Sequence, residues 1–123
     1  MLEKQRVGGL GEDLACRYLK RKGYKILERN FQKREGEIDI LAWDKKAKML
    51  VFVEVKTRTG GDFGEPQEAV NFFKQRKLLR TAYAYLNKKG LEEDFRIDIV
   101  GITLDYVKRS AHLEHFKNAI EEY

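Results

Sequence analysis

Three features of the sequence predict a single α/β domain, a mixed β-sheet flanked by helices in the order α-β-β-β-α-β. Apolar residues alternate along three successive runs, "YKILERNFQ", "EIDILAW" and "MLVFVEVKT". A long helical pattern separates these from a fourth strand-like run, "FRIDIVGITL". Length bounds the count: 123 residues, 42% of them apolar, suffice for one packed core and are too few for two.

The first helix is predicted over "GEDLACRYLKRKGY". Leu14, Ala15, Tyr18 and Leu19 share one side, Asp13, Arg17 and Lys20 the other, and Gly23 ends it. At about 100° per residue Glu12 falls beside Ala15, Cys16 and Leu19, an acid at the edge of the inward face. The preceding "GGLG" lacks the strand and spacing of a dinucleotide fingerprint and reads as a flexible approach. The three strands form a meander, with "DKKAK" as the charged turn between the second and third. "GGDFGEP", which holds Pro66, reads as a mobile glycine-rich loop, which would suit a flap over a duplex and is equally accounted for as a plain surface loop. A second helix is predicted from about Gln67 to Lys89, with Leu78, Leu79, Ala82 and Leu86 inward and Gly90 closing it. Phe72 and Phe73 are assigned to the core, with a wedge between bases as the minority reading. After the acidic turn Glu92-Glu93-Asp94 comes the fourth strand, and "HLEHFKNAIEEY" is read as a short terminal helix.

Composition excludes several classes. One cysteine, Cys16, permits no intrachain disulfide, and no Cys/His cluster has zinc-site spacing, which predicts a protein of the reducing cytoplasm. The N-terminus lacks the apolar core of a secretion signal, and the longest apolar run, Met49 to Val53, is far below a membrane span. With 25 basic against 20 acidic residues, the net charge of +5 permits a polyanionic partner without requiring one.

The chemistry concentrates in "GEIDILAWDKKAKMLVFVEVKTR". Strand alternation puts Glu54 and Lys56 on the face of Leu50 and Phe52, with Val51, Val53 and Val55 opposite. If Asp44 and Met49 pair across the turn, the register sets Asp39 opposite Glu54 and Glu37 opposite Lys56. Opposed carboxylates repel and resist desolvation, so the pair needs a cation. Mg²⁺ (or Mn²⁺) suits a partial cage made by Asp39, Glu54 and the carbonyl of Val55, with Lys56 orienting a water or offsetting phosphate charge. A solvent-facing Glu/Lys ladder is the bland alternative for Glu54 and Lys56.

"GEIDIL", "LVFVEVKTR", "FGEPQEAV" to "KQRKLLRTAYAYL" and "RIDIV" together resemble the YraN-like family of predicted endonucleases, within the PD-(D/E)XK nuclease superfamily and similar to archaeal Holliday junction resolvases. The resemblance covers about Gly8 to Ile102 and implies a restriction-endonuclease-like core. It implies Mg-dependent hydrolysis of phosphodiester bonds in DNA, with branched, Holliday junction-like DNA one substrate class and a homodimer one assembly. Asp39 and Glu54 match the metal-ligating acids, Lys56 the catalytic lysine, and Glu12 a helix acid that serves as a further metal or water ligand. No proline precedes Asp39, as in many members of the superfamily. A nucleic-acid-binding adaptor of recombination, repair or DNA uptake, with the fold but little catalysis, stays open beside the enzyme, as does action on RNA.

Gln75 lies on the stripe of Leu79, Ala82 and Leu86, which aims it at the sheet and the site. Lys74, Arg76, Lys77 and Arg80 are read as the outer side of that helix and, with Arg34 and Arg58, as candidate phosphate contacts. Asp98 is expected to pair with Arg96 at a sheet edge. Glu37 is read as a salt-bridging residue, His112 and His115 as surface or packing residues, and Cys16 as no nucleophile.

Overall fold

The computed structural model describes residues 2–59 and 71–120, with side chains from residue 9 onward. Among the described residues α1 (Leu2–Arg21) precedes β1 (Tyr24–Lys33), β2 (Gly36–Asp44) and β3 (Met49–Thr59), and α2 (Phe72–Lys89) precedes β4 (Phe95–Asp105) and β5 (Ser110–Phe116). The strands form one sheet in the order β1-β2-β3-β4-β5. β3 and β4 run parallel, joined through the stretch that contains α2, and the other neighbours are antiparallel. The α/β class and the mixed sheet flanked by helices are as expected.

β3 organises the domain because both of its faces are apolar. Leu50 and Phe52 join Leu78, Leu79, Ala82 and Leu86 of α2 in one buried cluster. Val51 and Val53 join Ala15, Cys16 and Leu19 of α1 in the other. Glu54 is buried on this strand, so it does not belong to a solvent-facing Glu/Lys ladder, while Lys56 beyond it is half-buried. No helix among the described residues is long and apolar enough to cross a membrane.

Three elements differ from expectation. "GGLG" is no flexible approach: α1 runs through it from Leu2. At Gly11 the reason is contact, since a Cβ there would overlap the Thr57 hydroxyl on β3. Removing the side chain lets the helix backbone press onto the sheet and carries Glu12 with it. α2 begins at Phe72, five positions after Gln67, because Asn71 is extended and its side chain accepts the Lys74 N–H at 2.9 Å. Gly90 closes it in the left-handed region at φ 66°, as the sequence implied. Residues 60–70, with the "GGDFGEP" loop and the helix start read at Gln67, lie outside the described residues.

The terminal segment is a strand, not a helix. Asp105 accepts the N–H groups of Val107 and Lys108 in a turn that folds the chain back. Ser110–Phe116 then pairs with β4, from Asp105↔Ser110 to Ile99↔Phe116. Leu113 packs towards the α1 side and Phe116 towards the α2 side, a period-2 pattern that overrides the local helical signal.

Adding a methyl group at Gly11 must separate α1 from β3. Gly11→Ala is expected to lower the urea midpoint by an amount equivalent to about 1–3 kcal/mol. Gly11→Ala with Thr57→Gly is expected to be less destabilised than the sum of the single changes, because the overlap is then gone.

Candidate active site

The site is built where two strands part. The β2–β3 ladder holds the predicted register from Asp44↔Met49 to Ile40↔Val53 and stops there. Asp39 and Glu54 are thus the first residues past the last pair. Alternation on β2 breaks at this point: Ile38 packs in the α2 cluster and Ile40, two residues on, in the α1 cluster. On the other side the β1–β2 ladder passes from Arg29↔Ile40 to Phe31↔Ile38 without pairing Asn30 with Asp39, and Asn30 has φ 52°. Asp39 therefore does not stand on one sheet face with Glu37, as simple alternation implied. Its Oδ2 accepts the Val55 N–H at 2.8 Å, so the carboxylate points across the fork in the plane of the sheet. A strand residue directs its N–H and C=O to the same neighbour. The Val55 carbonyl accordingly faces the fork too.

Acids reach this point from both layers. Glu54 is buried on the α2 side, and Lys74 of α2 brings its Nζ to 3.5 Å from Glu54 Oε2. That is an ion-pair distance without hydrogen-bond geometry: Oε2 has no hydrogen-bond partner among the described residues. From α1, the half-buried Glu12 lies near enough for Asp39 to raise its carboxyl after burial has done so, with Arg29, 3.5 Å away, opposing both. A buried carboxylate oxygen without a hydrogen bond, beside a second acid, is a place where a further cation lowers the free energy. No group of three or more His, Cys, Asp and Glu side chains forms a cage among the described residues. The donor set of two carboxylates and one carbonyl fits Mg²⁺, which keeps several of its waters.

The remaining predicted residues divide. Lys56 is half-buried and, because β3 pairs without interruption with β4, shares the Glu54 face. Gln75 is half-buried in the first turns of α2, and Arg58 is half-buried near the end of β3. Arg34, Arg76, Lys77 and Arg80 are exposed. Lys74 is a correction: it turns inward to Glu54, on the stripe of Leu78, Thr81 and Tyr85, and is not part of the outer helix face. Phe72 and Phe73 are also corrected, being 60% and 82% exposed. Glu37 stands exposed opposite Gln32 on β1, and the ladder never reaches a Glu37↔Lys56 pair.

Asp98 belongs to a different construction. It is fully buried on interior strand β4, not at an edge, and it receives Arg96 Nε and the Asn118 N–H, each at 2.9 Å. His115 Nε2 lies 2.7 Å from it, and His115 Nδ1 lies 2.9 Å from the Tyr18 hydroxyl. Burial pushes the Asp98 carboxyl up, but these partners outweigh it and hold the group below the usual range. Arg96 also bonds the Tyr24 hydroxyl at 2.7 Å and pairs with Asp44 at 3.1 Å. The network is about five residues, or roughly 17 Å, along β2 from Asp39. Its polar groups satisfy one another, which marks it as structural. His112, by contrast, is exposed, and burial raises the Cys16 thiol, which argues against a nucleophile.

With this geometry in hand, comparison with known proteins places the chain. The family model described as "Uncharacterised protein family UPF0102" matches residues 11–102. The chain belongs to this family. It is 48% identical over 121 residues to a UPF0102 protein of Geobacter metallireducens, covering 98% of this chain and 96% of that one. To a UPF0102 protein of Clostridium botulinum strain 657 it is 44% identical over 117 residues, 94% of each chain. The solved structure of Pyrococcus furiosus SfsA in complex with Ca²⁺ aligns with 97% of this chain and 65% of that one at 17% identity and a TM-score of 0.40, a loose likeness of shape. The YraN-like membership expected from the motifs is thus met by the UPF0102 assignment.

In this UPF0102 chain the fork also sets the proton balance. Burial, then the charge of Glu54, pushes the Asp39 carboxyl up to about 7, against the opposing Val55 N–H. An unfolded aspartate titrates near ~3.9. Between those values the folded state holds a proton that the unfolded chain has lost, so stability falls as pH rises through that window and levels off above it. Asp39→Asn keeps an acceptor for the Val55 N–H and removes the charge. In chelator, its Tm at pH 8 is expected to exceed that of the parent by roughly 5 °C, with no difference at pH 4. A parent more stable than the variant at pH 8 would contradict this reading of the fork.

Proposed function

We propose that the chain is a metal-dependent endonuclease that hydrolyses phosphodiester bonds in DNA, branched DNA included. The observation that carries the reading is the buried Oε2 of Glu54, which has an ion-pair neighbour in Lys74 but no hydrogen-bond partner among the described residues, beside an Asp39 carboxylate that β3 holds in the plane of the sheet. Asp39, Glu54 and the Val55 carbonyl would hold Mg²⁺ or Mn²⁺, and Glu12 on α1 would take a hydrogen bond from a metal-bound water. A bound divalent ion supplies neutralising charge for the phosphate oxygens and a more acidic water.

The side chains supply the rest. Lys56, on the Glu54 face, orients the attacking water and donates to a non-bridging phosphate oxygen. Water oxygen bonds to phosphorus, its proton passes to solvent or a nearby base, and the departing sugar oxygen takes a proton as its bond to phosphorus breaks. Gln75 contacts the water or phosphate from α2. Arg34, Arg58, Arg76, Lys77 and Arg80 take backbone phosphates, which fixes register without reading sequence. Lys74, 3.5 Å from Glu54 Oε2, offsets part of the Glu54 charge.

One observation favours a catalytically silent nucleic-acid-binding adaptor: Glu54 and Glu12 each have a basic neighbour 3.5 Å away. Labelled duplex, flap, single-stranded and four-way DNA, with an RNA competitor, separate the readings when incubated with Mg²⁺ or Mn²⁺. The endonuclease reading expects metal-dependent nicking that falls at least about 100-fold in Asp39→Asn, Glu54→Ala and Lys56→Ala. Absence of nicking at any metal concentration, with parent and variants binding DNA equally, supports the adaptor.

A further inference from the structure

The first turn of α2 exposes two adjacent phenylalanines, Phe72 at 60% and Phe73 at 82%. Helical phase does not demand this of Phe72, which lies seven residues before Leu79 and fourteen before Leu86, on the stripe that packs against the sheet. Leu79 and Leu86 are buried. Phe72 is exposed instead, in the turn of α2 that also carries the Glu54 neighbour Lys74. Lys74, about 3 Å back along the helix axis, already reaches Glu54. The rings are held by each other, edge to face at 6.3 Å, and by the Arg76 guanidinium, 6.0 Å from the Phe72 ring centre. Asn71 fixes their direction by capping the helix directly before them.

Charge says what covers them. On its exposed side α2 carries Arg76, Lys77 and Arg80 in its first half, and it has no acid in its first turn, where helices ordinarily favour one. A polyanion complements that surface, and a polyanion that also presents flat apolar faces complements the rings. Continuous duplex DNA offers phosphates but keeps its base faces stacked inside. Single-stranded DNA and an interrupted stack, at a branch, flap or junction, offer both, and the interrupted stack adds adjoining duplex phosphates within reach of the same basic helix.

We propose that Phe72 and Phe73 form a stacking wedge for the unstacked base at a DNA branch point, and that this wedge makes the adjacent site select branched over continuous DNA. The inference deepens the nuclease reading and rests on the fork being a DNA site. Arg76 takes the neighbouring phosphate while its guanidinium stays over Phe72.

Binding without metal tests the wedge apart from cleavage. Fluorescence anisotropy in chelator compares flap and four-way DNA with duplex of equal length for the parent, Phe72→Ala/Phe73→Ala and Phe72→Trp/Phe73→Trp. The wedge predicts that the parent prefers branched DNA and that the alanine pair loses about tenfold in affinity for it while duplex affinity holds. It also predicts that the tryptophan pair keeps the preference. Both residues are exposed, so the alanine pair should melt with the parent. An equal loss on both DNAs, no loss, or no DNA binding at all overturns the wedge. So does a parent dimer that the alanine pair converts to monomer by light scattering, since the rings would then cover a second copy of the chain. A wedge that binds branched DNA in a protein that never cuts would sink the nuclease reading and leave this one standing.

Discussion

The hydrogen bond from the Val55 N–H to Asp39 Oδ2 is the constraint on which the site depends. It replaces a rung of the β2–β3 ladder with a side chain, and in doing so it opens the sheet into a fork. A carboxylate used in this way is committed to the interior. It is desolvated, it faces Glu54, and its position is held by backbone that cannot move without unzipping β3. Electrostatic strain is thereby built into a rigid element and not into a loop, the arrangement a preorganised hydrolytic centre requires.

The rest of the fold serves that fork from three sides. α1 approaches closely because Gly11 has no side chain to meet Thr57, and this brings Glu12 in from one layer. α2 approaches closely because a Cβ at Gly36 would stand 2.6 Å from the Thr81 hydroxyl oxygen, and this brings Lys74 in from the other. The glycine of the "GEID" motif thus has a packing reason, while its aspartate has a chemical one. At the far end of the strands the Tyr18–His115–Asp98–Arg96–Asp44 network ties α1, β2, β4 and β5 together. Its ion pairs are buried and mutually satisfied, so it fixes the alignment of the strands that converge on the fork.

Much of this was legible in the chain. Alternation in "LVFVEVK" set the two faces of β3, and the turn at "DKKAK" set its register against β2, so the meeting of Asp39 with Glu54 followed from counting. The wheel position of Glu12 on α1 was equally readable. The break in alternation at Asp39 was not, because a local distortion of a strand leaves no periodic signal; Asn30, a residue tolerant of left-handed backbone, was the sole hint on the partner strand. The phase of Lys74, four residues before Leu78, already pointed inward, and its charge is what suggested the outer face; the buried Glu54 that it meets is the reason a lysine can stand there. Phe72 and Phe73 were misread because apolar character was taken for burial. β5 was missed because its pairing depends on β4, a partner that local propensity does not see.

As proposed above, the fork takes a hard cation once Asp39 gives up its proton. Titration calorimetry of Mn²⁺ into the protein near pH 6, repeated in two buffers of different ionisation enthalpy, measures binding and proton release together. The account predicts saturable binding with about one proton released per ion, lost in Glu54→Ala. No binding at millimolar Mn²⁺, or binding left unchanged by Glu54→Ala, would contradict it.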